Sequence, residues 1–127
     1  MKNIKIVTEL INELNEKTNC NTEGYYNQKK QEIIFYEHNI KVNLQINDNE
    51  INIIREHPQY ILQLCFINKR IIETNYIVKN INLKFNLLTE TLSLIIKTNT
   101  IEIKYKLFLN DQDMGIFYYK IYYEVIK

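Results

Sequence analysis

The chain has 127 residues with 16 basic and 15 acidic side chains, a formal net charge of +1, two cysteines, two glycines and one proline. That balance excludes a global field that would steer nucleic acid or an anionic membrane, and the length suits one domain spanning 1–127. Isoleucine occurs 23 times and asparagine 18 times, with no alanine and no tryptophan. Such a skew reflects AT-rich codon usage before function, so individual Lys and Asn residues are weak signals.

The opening MKNIKIVTELINELNEK is interrupted by charge every few residues and has no apolar stretch of signal-peptide or membrane-span length. A cytoplasmic protein with no membrane contact is therefore expected. Cys20 and Cys65, without a C-x-x-C pattern, read as free thiols in a reducing compartment and not as a zinc site. Ile4 and Ile6 alternate and predict a strand over 2–9. Residues 10–22 stay unassigned, because Val7, Leu10, Ile11 and Leu14 have helical spacing, and Cys20 is placed in a polar loop.

From Thr22 onward the pattern has a period of two. Pairing around Lys29-Lys30 sets Tyr26 opposite Ile33 and Gly24 opposite Phe35, with those four inside and Tyr25 and Ile34 outside. The next turn, His38-Asn39, pairs Glu37 with Ile40 and Phe35 with Val42. IKVNLQI then puts Ile40, Val42, Leu44 and Ile46 on one side of a strand. Pairing Ile46 with Ile51 carries the same face to Ile53 and Arg55. Beyond the turns at 68–70 and 79–80, pairing Val78 with Ile81 brings Tyr76 to Leu83 and Thr74 to Phe85. INLKFNL puts Ile81, Leu83, Phe85 and Leu87 inside, and IEIKYKLFL does the same with Ile101, Ile103, Tyr105, Leu107 and Leu109. Short polar connections between strands with one apolar face predict an all-β, antiparallel up-and-down meander of about 8–10 strands, closed into a barrel.

The order Thr22-Glu23-Gly24-Tyr25-Tyr26, Phe35-Tyr36-Glu37, a strand ending in Arg55, and IEIKYKLFLNDQDMG resembles the YwiB-like family of bacterial domains of unknown function over nearly the whole chain. The resemblance implies a calycin-like barrel, the architecture shared with lipocalins, and implies no activity. Two segments depart from the family pattern. Glu56-His57-Pro58 stands where the family tends to have a glycine turn, and Thr74-Asn75-Tyr76-Ile77 replaces a Thr-Pro-aromatic-Gly run. Loops around one mouth are thus expected to differ.

Glu37 and Arg55 are the sharpest candidates for a site, because both fall on the inner face and a charge there needs a partner or water. Their bland reading is an ion pair at the rim. Their functional reading is a mouth at which Arg55 anchors a small anionic ligand, with Glu37, Tyr26, Tyr76 and Tyr105 as further ligand-binding candidates. Nine rings (Tyr26, Phe35, Phe66, Tyr76, Phe85, Tyr105, Phe117, Tyr119 and Tyr123) point inward, so the interior is expected to be largely filled, with a small cavity near Glu37 and Arg55. His38 and His57 follow glutamates, but neighbours on a strand face opposite ways, and neither a metal nor a cofactor is called for. With no G-x-S-x-G, Walker loop or dinucleotide fingerprint, a non-enzymatic role is expected.

Two alternatives use the outer surface. Ile61, Ile67, Ile71 and Ile77, with Cys65, form an apolar outer patch that fits a homodimer or partner interface, or a site covered by the chain's own N-terminal segment. Lys104, Lys106, Tyr118, Lys120 and Tyr122 interleave basic and aromatic side chains as a single-stranded nucleic-acid platform does. That reading ranks last, because tyrosines also favour strands and lysines also protect exposed sheets.

Overall fold

In the computed structural model, residues 1–126 are described. They form β1 (Lys2–Ile11), β2 (Lys17–Asn27), β3 (Glu32–Glu37), β4 (Ile40–Asn47), β5 (Glu50–His57), β6 (Tyr60–Ile67), β7 (Ile71–Val78), a 3-10 turn (Lys79–Ile81), β8 (Leu83–Lys97), β9 (Thr100–Leu109) and β10 (Gln112–Val125). Each strand pairs antiparallel with the next. β1 also pairs with β10, from Ile4 opposite Val125 to Ile11 opposite Tyr118, and this closes a ten-stranded meander barrel. No described helix is long and apolar enough to cross a membrane.

Local chemistry explains how so few glycines suffice for the turns. Asn15, His38, Asn82, Asn99, Asn110 and Asp111 all have φ between 49° and 66°. Asn, Asp and His are the non-glycine residues that best tolerate this left-handed region. Gly115, at φ 96°, sits in the bulge where β10 shifts register against β9, and its amide donates to Asp113 Oδ1 at 2.8 Å. A side chain would be strained at that angle.

The inner face read from the alternation is the core. Ile4, Ile6, Ile33, Phe35, Val42, Leu44, Ile51, Ile53, Phe66, Leu87, Ile101, Ile103 and Ile121 are buried. The observed pairs Gly24 with Phe35, Tyr26 with Ile33, Glu37 with Ile40, Val42 with Arg55 and Ile46 with Ile51 match the expected register. Such agreement is physical: a slip of one residue would turn every inner side chain outward.

Gly24 shows why that register excludes a side chain. A Cβ there would lie 2.5 Å from the Ile34 carbonyl oxygen, 2.9 Å from Phe35 Cβ and 3.0 Å from Ile6 Cδ1. Gly24→Ala is therefore expected to cost at least ~1–3 kcal/mol, the usual range for overpacking. Trimming the ring in a Gly24→Ala/Phe35→Ala double variant should not rescue it, because the two closest atoms, the Ile34 carbonyl oxygen and Phe35 Cβ, both remain. Urea melts of the two single variants and the double variant check this; recovery in the double variant would count against it.

Three expectations need correction. First, the N-terminal segment does not cover the outer patch. Leu10 and Ile11 belong to β1, a strand of the barrel wall, while Leu14 is exposed in the β1–β2 turn. Helical spacing over 7–14 arose because β1 ends at Ile11 and the turn follows at once. Second, Cys20 lies in β2 opposite Thr8, not in a loop. Third, the turn after β7 is two residues longer than expected. The 3-10 turn sets Val78 opposite Leu83, Tyr76 opposite Phe85 and Thr74 opposite Leu87, leaving Ile81 66% and Leu83 42% exposed where both were expected inside. Because the shift is even, Phe85 and Leu87 keep their inward face.

β6 and β7 pair only at Tyr60–Val78, Ile61–Ile77 and Leu62–Tyr76. Beyond those rows, side chains take over from the ladder. The Thr74 hydroxyl donates to the Gln63 carbonyl, and the buried Thr89 hydroxyl donates to the Cys65 carbonyl at 2.7 Å. Backbone acceptors in the opened stretch are thereby satisfied without a continuous strand pair.

Candidate ligand site

A meander puts alternate turns at alternate ends. The β1–β2, β3–β4, β5–β6, β7–β8 and β9–β10 turns therefore crown one mouth. Glu37, the last residue of β3, and Arg55, near the end of β5, face inward beneath that crown.

There Arg55 Nη1 donates to Glu37 Oε1 at 3.2 Å, and Tyr119 Oη on β10 donates to the same oxygen at 3.0 Å. The two charged side chains are 21% and 10% exposed, so the pair is largely sheltered from water and each charge depends on the other. Arg55 gives one of its five N–H donors to this bond and makes no other side-chain hydrogen bond among the described residues.

A cavity of about 210 Å³ lies beside them, walled by Leu10, Ile53, Arg55, Leu62, Leu64, Phe66, Tyr105, Leu107, Phe117 and Tyr119. Glu37 stands behind Arg55, outside the lining. Tyr105 is 6% exposed. Its hydroxyl makes no side-chain hydrogen bond among the described residues but is not sealed in; the fully buried polar atom without a partner is Thr91 Oγ1 on β8, outside this wall.

Burial pushes the Tyr105 phenol up to about 12, with the Arg55 charge pulling the other way. Tyr119 moves further in the same direction, through burial first and then the Glu37 charge. Unfolded tyrosine titrates near ~10, so above that pH the unfolded chain loses protons that the folded chain keeps. The contribution of Tyr105 is present below about pH 10 and is lost as pH rises toward about 12, an effect of ~2–3 kcal/mol. Urea melts at about pH 8 and about pH 11 should show this alkaline loss, and a Tyr105→Phe variant should show less of it. Equal losses in both proteins would refute the assignment.

The structure brings Glu37, Arg55 and Tyr105 together. Tyr26 does not join them: beside the β2–β3 turn it belongs to the opposite end, with its ring 6.0 Å from that of Tyr123. Tyr76 shares a row with Arg55 through Leu62 but forms part of the rim. There His57, Tyr60, Tyr76 and Phe85 make a run of rings at centroid separations of 4.7, 5.4 and 6.0 Å. His57 is thus packed on Tyr60, not standing free at a turn.

Sequence reasoning missed Tyr119 as the second partner of Glu37, since no local signal links residues 82 apart. It also missed Leu10 and Cys20, which lie in the segment left unassigned. Cys20 faces inward with Thr8, and its thiol is pushed up by burial first and by the Glu37 charge second. A larger space of about 670 Å³ adjoins Gln31, Asn47, Asp48, Asn49 and Ile96. It is bordered mainly by exposed turn residues and has no buried polar group comparable to Tyr105.

The outer candidates lie elsewhere. Ile61, Ile67 and Ile77 are partly buried and Ile71 is 60% exposed on the outside of β6 and β7. On β9 and β10 the basic and aromatic residues are interspersed with acids. Tyr118 donates to Glu102, Tyr122 to Glu124, Lys106 pairs with Asp113 at 3.2 Å, and Lys120 lies 4.0 Å from Glu102, while Lys104 is exposed.

The family model described as a domain of unknown function (DUF1934) matches residues 4–121. The crystal structure of the ywiB protein from Bacillus subtilis is similar to 99% of this chain and 93% of that one, with a TM-score of 0.76 and 17% sequence identity. At that identity the likeness speaks for the fold alone, and the fold is the one expected from the sequence. No curated protein matches the chain.

Proposed function

The chain belongs to the DUF1934 family, whose description assigns no function, and from the site itself we propose a non-enzymatic barrel that binds a small anionic molecule through Arg55 and Tyr105 at its crowned mouth. The observation that carries this reading is the Tyr105 hydroxyl, without a hydrogen-bond partner among the described residues, in a wall whose only described charged member is Arg55. Both groups offer hydrogens, and an acceptor with a negative charge satisfies both at once. A pocket of mostly apolar wall with few convergent polar groups is the usual form of a small-molecule site.

The non-enzymatic part rests on what the described wall contains. It has no histidine, cysteine or carboxylate, so no side chain there is suited to act as a nucleophile assisted by a base. Glu37 accepts two hydrogen bonds and keeps Arg55 in place, a positioning role.

Native mass spectrometry of the purified protein, compared with its denatured mass, tests for a retained small acid. Calorimetric titration with carboxylates tests for binding when nothing is retained. Displacement of a fatty-acid probe at micromolar affinity, unaffected by Arg55→Ala, would overturn the proposal.

A further inference from the structure

The cavity also constrains what kind of anion it takes. We infer that its ligand is a monocarboxylate carrying a single aromatic ring, an inference that rests on the Arg55–Tyr105 anchoring reading and adds a chemical class to it.

Size sets the first limit. An apolar cavity of ~150 Å³ accepts benzene, so about 210 Å³ accommodates one ring and a short acid arm. A long-chain fatty acid exceeds it.

Charge sets the second. Arg55 and the Tyr105 hydroxyl are the free donors, and Tyr119 already donates to Glu37. The rest of the wall is Leu10, Ile53, Leu62, Leu64, Phe66, Leu107 and Phe117. A second anionic group would be left against leucine, without the partner that a desolvated charge requires.

Ring geometry sets the third. Phe66, Tyr105 and Phe117 run side by side along one wall, with centroids 4.7 Å apart at 57° and 5.5 Å apart at 23°. Phe66 is itself fully buried and Tyr105 6% exposed, so the half-buried Phe117 ring is the one most open to a guest. An aromatic guest gains from both offset-stacked and edge-to-face contacts, which a saturated ring of similar shape cannot make.

The test is calorimetric titration of the full chain with phenylacetate, cyclohexylacetate, octanoate and palmitate. Phenylacetate is expected to bind at least threefold tighter than cyclohexylacetate, with palmitate not competing, and Phe117→Leu should bring the phenylacetate-to-cyclohexylacetate ratio toward one. Cyclohexylacetate or octanoate binding as tightly as phenylacetate, and still weakened by Arg55→Ala, would overturn the aromatic class while leaving the anchoring reading in place. If no carboxylate binds, the anchoring reading fails and this inference fails with it. The ligand comparison on the unmodified protein decides the matter even if the Phe117 variant does not fold.

Discussion

Arg55→Ala is expected to weaken binding of a small carboxylate more than tenfold. Among the described residues the guanidinium is the one charged group in the cavity wall, and a charge-assisted hydrogen bond in a sheltered site contributes ~1.5–3 kcal/mol, which alone exceeds a factor of ten. The same substitution leaves the Glu37 carboxylate, 10% exposed at its side chain, with only the Tyr119 hydroxyl as a donor. Breaking a fully buried pair costs ~3–5 kcal/mol. Here the Arg55 side chain is 21% exposed and water can reach the remaining charge, so a loss of ~1–3 kcal/mol in stability is the better expectation.

These two effects can be separated. In Arg55→Ala/Glu37→Gln, the amide oxygen still accepts from Tyr119 and no carboxylate is left unpaired, so much of the stability should return. Binding should not return, because the donor for the ligand is still missing. Calorimetric titration and urea melts on the single and double variants measure both quantities. A double variant that binds carboxylates as the unmodified protein does would remove Arg55 from the site.

Phe35→Ala is expected to produce the largest loss of stability, ~3–5 kcal/mol, with a fall in Tm of roughly 10–20 °C. Phe35 is 1% exposed and stands between Gly24 on β2 and Val42 on β4. The backbone contact at Gly24 leaves that strand little freedom to move inward and fill the space, which places the cost toward the upper part of the range for buried aromatics. The void would form away from the walls of the ligand cavity, so affinity per folded molecule should hold. Thermal melts with and without ligand check both statements; a fall of only a few degrees would mean that the neighbours collapse into the gap.

Much of this fold can be read residue by residue from local pattern, and the reasons are local too. Alternation of Ile40, Val42, Leu44 and Ile46 decides a face because strand side chains repeat every two residues. Short turns at Lys29-Lys30, His38-Asn39 and Asn47–Glu50 decide register because a tight connection permits few pairings. Those two facts were enough to place Glu37 and Arg55 on the inside. They fell short at residues 79–82, where a 3-10 turn lengthened the connection, at Leu10, where strand and helix patterns overlapped, and at Cys20, whose polar neighbours read as a loop.

Closure of the ring decided the rest. Turn order alone puts Tyr26 at the far mouth beside Tyr123, but which side chains share a cavity depends on the stagger of the closed circle, and this brought Tyr105 beside Arg55. Closure also brought Tyr119 on β10 onto Glu37 on β3 and Leu10 on β1 into the wall opposite β5 and β6. Such contacts depend on strand number and shear, properties of the whole barrel that no single turn or apolar run encodes. A lone inward arginine was legible in the chain; its juxtaposition with Tyr105, Tyr119 and Leu10 was not, because their strands face β5 only across the closed barrel.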